Sequence, residues 1–212
     1  KTPLHLAIEK GITEIILALI DKGANLDVKN KEGNTPLQWA IYMNRPEIAL
    51  ALIDNGASLD IKNKDGLTPL HLAIEKGLTD ITLALIEKGV NLDIQVKYGQ
   101  TPLQWAIYEN NSEIALALIN KVANIDIQDN KYGKTPLQWA ILKGKSEIAI
   151  ALINKGANLD IQDQDGKTPL YWTIEKGLTE IAHVLIDKGA NLDVKNKNRK
   201  TPLYCAIEKG LT

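Results

Sequence analysis

The sequence has no phenylalanine, one cysteine, one methionine and three histidines, and its formal net charge is only −1. Each shortage removes a class of function. Cys205 alone can form neither an internal disulfide nor a Cys-x-x-Cys motif, and a single thiol suits a reducing compartment. His5, His71 and His183 lack metal-ligand spacing, so no metal or cofactor is implied. Ser58, Ser112 and Ser146 lie in no G-x-S-x-G context, and no glycine-rich phosphate loop is present. The balanced charge gives no bulk electrostatic case for nucleic acid or an anionic membrane. No apolar run approaches the ~20 residues of a membrane span; Ile114–Ile119 is among the longest. Of 25 basic residues only Arg45 and Arg199 are arginine, leaving 23 lysines. With abundant Asn and Ile, that composition leans toward an AT-rich coding sequence.

Against these absences stands one abundance. Thr-Pro-Leu begins at Thr2, Thr35, Thr68, Thr101, Thr135, Thr168 and Thr201, a period of 33 residues with one interval of 34. Such regularity means one small unit stacked on itself over residues 1–212, a single domain. A stack offers a long quasi-periodic surface, which favours binding over the convergence of unlike residues that catalysis needs.

One unit, Asn30 to Lys62, shows the logic. Lys31-Glu32-Gly33-Asn34 is turn chemistry, its glycine suited to the positive φ of a hairpin tip. Thr35 is placed as an N-cap, Pro36 at the first helical position, and Gln38 three residues on completes a capping box. A short helix ends at Asn44. A second begins at Pro46-Glu47 and closes at Gly56, and Ala57 to Lys62 runs extended into the next tip. Neither helix is long enough to be stable alone, so stacking must supply the stability. The fold class expected is an all-α solenoid of helix-turn-helix units with β-hairpin tips.

This pattern resembles the ankyrin repeat over nearly the whole chain. Gly66-Leu67-Thr68-Pro69-Leu70-His71-Leu72-Ala73, Gly77, and Leu85-Ile86-Glu87-Lys88-Gly89 stand where that family carries its signature. The resemblance implies a curved solenoid presenting hairpin tips and first-helix faces on its concave side. It also implies a non-catalytic role, in which the array binds another protein. Together with the composition it points to a host-associated bacterial protein, cytoplasmic or delivered into a host cell's cytoplasm.

Departures from the signature carry the rest. Gln38, Gln104 and Gln138 replace the family histidine and can still make the capping bonds; Tyr171 and Tyr204 replace it elsewhere. Trp39, Trp105, Trp139 and Trp172 occupy the next slot, each followed ten residues later by Ala49, Ala115, Ala149 or Ala182, where leucine units carry Ile16 and Thr82. Volume conservation in a close-packed core predicts that each indole packs over its alanine. Asn44 and Asn110 stand in for a helix-ending glycine and are expected in the left-handed region. Val122 stands where five other units have glycine, and the extra residue lies near Asp129, so an irregular connection over 121–132 with Val122 at negative φ is expected. Arg199 replaces a tip glycine, and neither terminus has a polar cap, which reads as a fragment of a longer protein. The Asn-Leu-Asp segments, such as Asn25-Leu26-Asp27, match no calcium loop and are read as solvated turns.

On the concave side implied by the resemblance, the outer units repeat a plain Glu-Lys pair at the end of the first helix, as in Glu9-Lys10 and Glu175-Lys176. The middle units instead place Tyr42, Met43, Leu67, Tyr98, Tyr108, Tyr132, Lys134, Leu142 and Lys143 there. Tyrosine and methionine within a charged rim resemble an interface core. The alternative is neutral variation on a tolerant surface. On the opposite side Leu17, Leu50, Leu83, Leu116 and Ile150, with His183, form either an apolar ridge suited to self-association or a stripe that a small helix rotation buries. Three readings follow: a protein-binding scaffold first, then the recognition arm of an enzyme whose catalytic domain lies elsewhere, then a self-assembling array.

Overall fold

The computed structural model describes residues 1–121 and 124–210. Among these are thirteen α-helices and no strand. The chain divides into two compact units, Lys1–Lys97 and Tyr98–Thr212. The first holds α1 (Pro3–Lys10), α2 (Thr13–Asp21), α3 (Pro36–Tyr42), α4 (Pro46–Asp54), α5 (Pro69–Glu75) and α6 (Thr79–Glu87). The second holds α7 (Pro102–Tyr108), α8 (Ser112–Lys121), α9 (Pro136–Leu142), α10 (Ser146–Asn154), α11 (Pro169–Lys176), α12 (Thr179–Asp187) and α13 (Pro202–Glu208). Within each unit, odd-numbered first helices pack on the next odd-numbered helix and on the even-numbered second helix that follows them.

Every first helix starts at the Thr-Pro-Leu threonine. Thr35 Oγ1 accepts the Gln38 N–H at 3.3 Å while Gln38 Oε1 accepts the Thr35 N–H at 2.9 Å, closing the expected capping box. The glutamine does more than cap. Gln38 Nε2 donates to the carbonyls of Ile61 (2.8 Å) and Leu67 (2.9 Å) in the following repeat. Gln104 reaches Ile127 and Lys134 in the same way, and Gln138 reaches Ile161 and Lys167. All three are fully buried, so one side chain satisfies an N-cap and ties two repeats together.

The tips are compact turns, not the β-hairpins expected from the sequence. Asn30 N–H bonds to Asn34 O at 2.8 Å, and one backbone bond joins successive tips, such as Gln164 N–H to Tyr132 O at 3.0 Å. A single bond per tip is too sparse to register as a ladder. It does explain two of the tip glycines: a Cβ on Gly33 would meet Lys64 N at 2.8 Å, and one on Gly166 would meet Lys197 N at 2.9 Å. The extra residue sits in one such tip. Asp129 N–H bonds to Lys134 O, five residues on, where the tips at Asn30, Asn63, Asp163 and Asn196 close over four. Val122 lies outside the described residues. Asn44 (φ 53°) and Asn110 (φ 65°) adopt the left-handed conformation as expected. The periodic aspartates are more than solvated turns: Asp27 accepts the Ser58 N–H at 2.9 Å and Asp160 the Asn191 N–H at 2.8 Å, linking repeats at the far end from the tips.

The apolar stripe is divided. Leu50, Leu83, Leu116 and Ile150 are half-buried, whereas Leu17 and His183 are exposed.

Candidate functional site

The tryptophans organise the face built by tips and first helices. Trp39 is buried and the other three indoles are half-buried, so none projects to solvent. Two of the indole N–H groups reach the tips. Trp139 Nε1 donates to Asp129 Oδ2 and Trp172 Nε1 to Asp163 Oδ2, both at 2.9 Å. Asp129 also accepts the backbone N–H groups of Lys131, Tyr132 and Lys134. The indole is thereby fixed by a buried carboxylate that itself shapes the tip.

On Trp139 rest two exposed tyrosines. Tyr108 meets its ring edge-on at 6.1 Å and 86°, and Tyr132 at 5.8 Å and 71°. Both are near half exposed, so their rings are ordered without being hidden. Lysines cover their faces: Lys131 Nζ lies 4.8 Å from the centroids of both Tyr98 and Tyr132, and Lys143 Nζ lies 4.0 Å from that of Tyr108. The Tyr132 side chain raises the Lys131 pKa above its usual value, outweighing desolvation, so the ammonium persists. In the other unit Trp39 stacks on exposed Tyr42 at 5.5 Å, and Lys76 Nζ lies 4.8 Å from the Tyr42 ring. A first-helix tyrosine covered by the lysine of the next repeat thus occurs once in each unit.

An internal control sets this face apart. In repeats 1, 6 and 7 the last tip residue and a glutamate eight positions later close an ion pair: Lys1–Glu9 at 2.9 Å, Lys167–Glu175 at 2.6 Å and Lys200–Glu208 at 2.7 Å. The same two slots hold Asn34 and Tyr42, Leu67 and Glu75, Gln100 and Tyr108, and Lys134 and Leu142 in the middle repeats. There the pair is absent and aromatic or apolar groups take its place.

Of the residues expected at an interface, Tyr42, Tyr98, Tyr108, Tyr132 and Lys143 are exposed, and Met43 and Leu142 are half-buried. Two are corrected. Leu67 is buried, at 8% exposure. Lys134 is buried too: its ammonium pairs with Asp163 Oδ2 at 2.9 Å and lies 5.0 Å from the Trp172 ring. Both belong to the stack. Trp139 and Lys131 lie against these tyrosines as well. The signal for Trp139 was the aspartate ten residues before it, able to take the indole N–H.

Among the described residues no three His, Cys, Asp or Glu side chains gather as a metal-binding group, and no helix is long and apolar enough to cross a membrane.

A family model described as ankyrin repeats (3 copies) matches residues 1–63, 51–129, 98–163 and 152–212. The chain belongs to the ankyrin repeat family. Solved ankyrin structures similar to it include the ankyrin repeat domain of Bcl-3, a member of the IkappaB protein family. It is 29% identical with a TM-score of 0.86, the match covering 97% of this chain and 94% of that one. The human ASB11 ankyrin repeat domain is 28% identical with a TM-score of 0.72, covering 97% of this chain and 92% of that one. No curated protein matches the sequence. Ankyrin repeats are a protein–protein interaction fold, so this array is an interaction module at the level of its family.

Proposed function

We propose that the face of tips and first helices binds a partner protein without catalysis. Its anchor is Tyr98, Tyr108, Tyr132 and Leu142, braced by Trp139 and flanked by Lys131 and Lys143; Tyr42 and Met43 provide a second patch in the other unit. The observation that carries this reading is the opened ion pair. Where repeats 1, 6 and 7 neutralise themselves, the middle repeats carry half-exposed tyrosines held against a fixed indole. Tyrosine ordered before binding loses little entropy on association, which suits an anchor.

The test is an affinity measurement by titration calorimetry on a selected protein partner. Tyr108→Ala or Tyr132→Ala should each weaken binding about 30-fold, from ~2 kcal/mol per truncated anchor at 1.4 kcal/mol per decade. Lys10→Ala or Lys176→Ala at the rim should cost less than about fivefold. Binding that survives both tyrosine replacements refutes the assignment.

A further inference from the structure

We infer that the partner segment received by the Tyr98–Thr212 unit is an acidic, extended peptide. The inference rests on the binding face proposed above and names what that face accepts. The lysines in the last position of their tips have carboxylates: Lys134 has Asp163, Lys167 has Glu175 and Lys200 has Glu208. Lys131 and Lys143 have none among the described residues; each ammonium touches only tyrosine rings. A ring face orders a lysine while leaving its outward N–H groups available, so two cations are held ready at the edges of the aromatic platform.

The surplus continues along the same face. Lys176, Lys197, Arg199 and Lys209 are exposed on the following tips and first helices and also lack a carboxylate partner among the described residues. Against the six, the described residues of these tips and first helices hold two exposed carboxylates outside ion pairs, Glu109 and Asp165. The chain as a whole carries −1, so this excess is local. The acidic residues it balances include Glu113, Glu147 and Glu180, exposed in the first turns of the second helices. A field of one sign across a tip row joined by backbone bonds at Tyr98, Tyr132 and Asp165 favours a chain of opposite sign laid along it.

A nucleic acid is also acidic, but it would stack its bases on open aromatic faces. Here Lys131 covers Tyr98 and Tyr132, and Lys143 covers Tyr108. An ammonium seated over a ring takes the place a stacked base would need, and it is itself suited to a carboxylate.

The test pans a phage-displayed random dodecapeptide library on the whole protein. Enriched peptides are then synthesised with a fluorescent label and titrated by anisotropy beside a labelled 20-residue oligothymidylate. Enrichment of Asp and Glu over Lys and Arg is expected, with affinity falling about tenfold in the Lys131→Glu/Lys143→Glu double variant. The same variant should enrich basic peptides when panned itself, and raised salt should weaken the wild-type complexes. Neutral or basic winners, no winners, affinity unchanged by charge reversal, or oligothymidylate bound more tightly than any peptide would overturn the inference. Neutral peptides lost on Tyr108→Ala and Tyr132→Ala would remove the acidic partner while leaving the binding face standing. Peptides indifferent to all four substitutions would remove both.

Discussion

Asn30→Asp should stabilise the protein, which is unusual for a change to a buried residue. Asn30 heads a tip at 7% exposure. Its Oδ1 accepts the N–H groups of Glu32 (3.0 Å) and Asn34 (2.9 Å), while its Nδ2 and Trp39 Nε1 are both buried without a partner. Two backbone N–H donors hold the amide oxygen, and by the register of Asp163 and Trp172 the Trp39 N–H is the third donor at this slot, so turning the amide over satisfies no more of them. In the equivalent slots Asp129 and Asp163 take the indole proton on their second oxygen at 2.9 Å. A carboxylate at position 30 removes two unsatisfied donors, each costing about 1–3 kcal/mol. Against that stands the desolvation of a charge. Asp129, at 3% exposure, bears that cost with N–H donors alone. Position 30 has a cation nearby as well, since Lys1 Nζ lies 5.0 Å from the Trp39 ring, the same distance as Lys134 from Trp172. The net gain expected is about 1–2 kcal/mol, or ~2–8 °C in Tm for a chain of this size. Thermal unfolding reads the stability, and the Trp39 indole N–H resonance reads the cause by moving downfield as it gains an acceptor. A lower Tm, or an unmoved indole resonance, refutes the reasoning.

Asp163→Asn should cost about 3–5 kcal/mol, because Lys134 is left charged and buried; pairing Lys134→Met with Asp163→Leu should recover most of it in urea titrations. His5 is fully buried, with Nδ1 at 2.7 Å from Thr2 Oγ1 and Nε2 at 3.0 Å from Asn34 O, and burial lowers its pKa. Its contribution is therefore present above the unfolded value near 6.5 and lost as pH falls, so His5→Gln should flatten the drop in urea midpoint between pH 7 and 5. Desolvation first, then Cys205, raises the Tyr171 pKa to about 12. Its contribution is present below pH ~10 and lost as pH rises through 12, so Tyr171→Phe should weaken the alkaline loss of stability followed by circular dichroism.

How far the fold could be read from the sequence depends on range. The Thr-Pro-Leu period, the Thr35–Gln38 capping box and the left-handed Asn44 and Asn110 are local consequences of residue type, and each could be read directly. Gln38 shows where this stops. Its bond to Thr35 follows from a spacing of three, but its bonds to Ile61 and Leu67 need the next repeat in place. The indole N–H groups depend on the same longer range. Counting volume against Ala49 or Ala149 treats indole as apolar bulk, whereas its single N–H must find an acceptor once enclosed. Leu67 and Lys134 occupy a slot that the family resemblance puts at the surface, yet Leu67 is buried and Lys134 turns inward to Asp163.

Lys134 and Lys167 show what decides that slot. They are equivalent residues one repeat apart, each within about 5 Å of the Trp172 ring centroid, and they choose opposite partners. Lys167 has Glu175 on its own helix and Asn196 at the next tip, and it bonds to Glu175. Lys134 has Leu142 where that glutamate would be and Asp163 at the next tip, and it bonds forward to Asp163. An ammonium leaving water goes to whichever carboxylate is within reach. Moving the carboxylate from the helix end to the following tip therefore changes two properties together. It turns a half-buried intra-repeat pair into a buried link between repeats, and it frees the helix-end position for the apolar Leu142 on the face with Tyr108 and Tyr132. The stability of repeat 5 and the character of its binding face thus follow from one relocated negative charge.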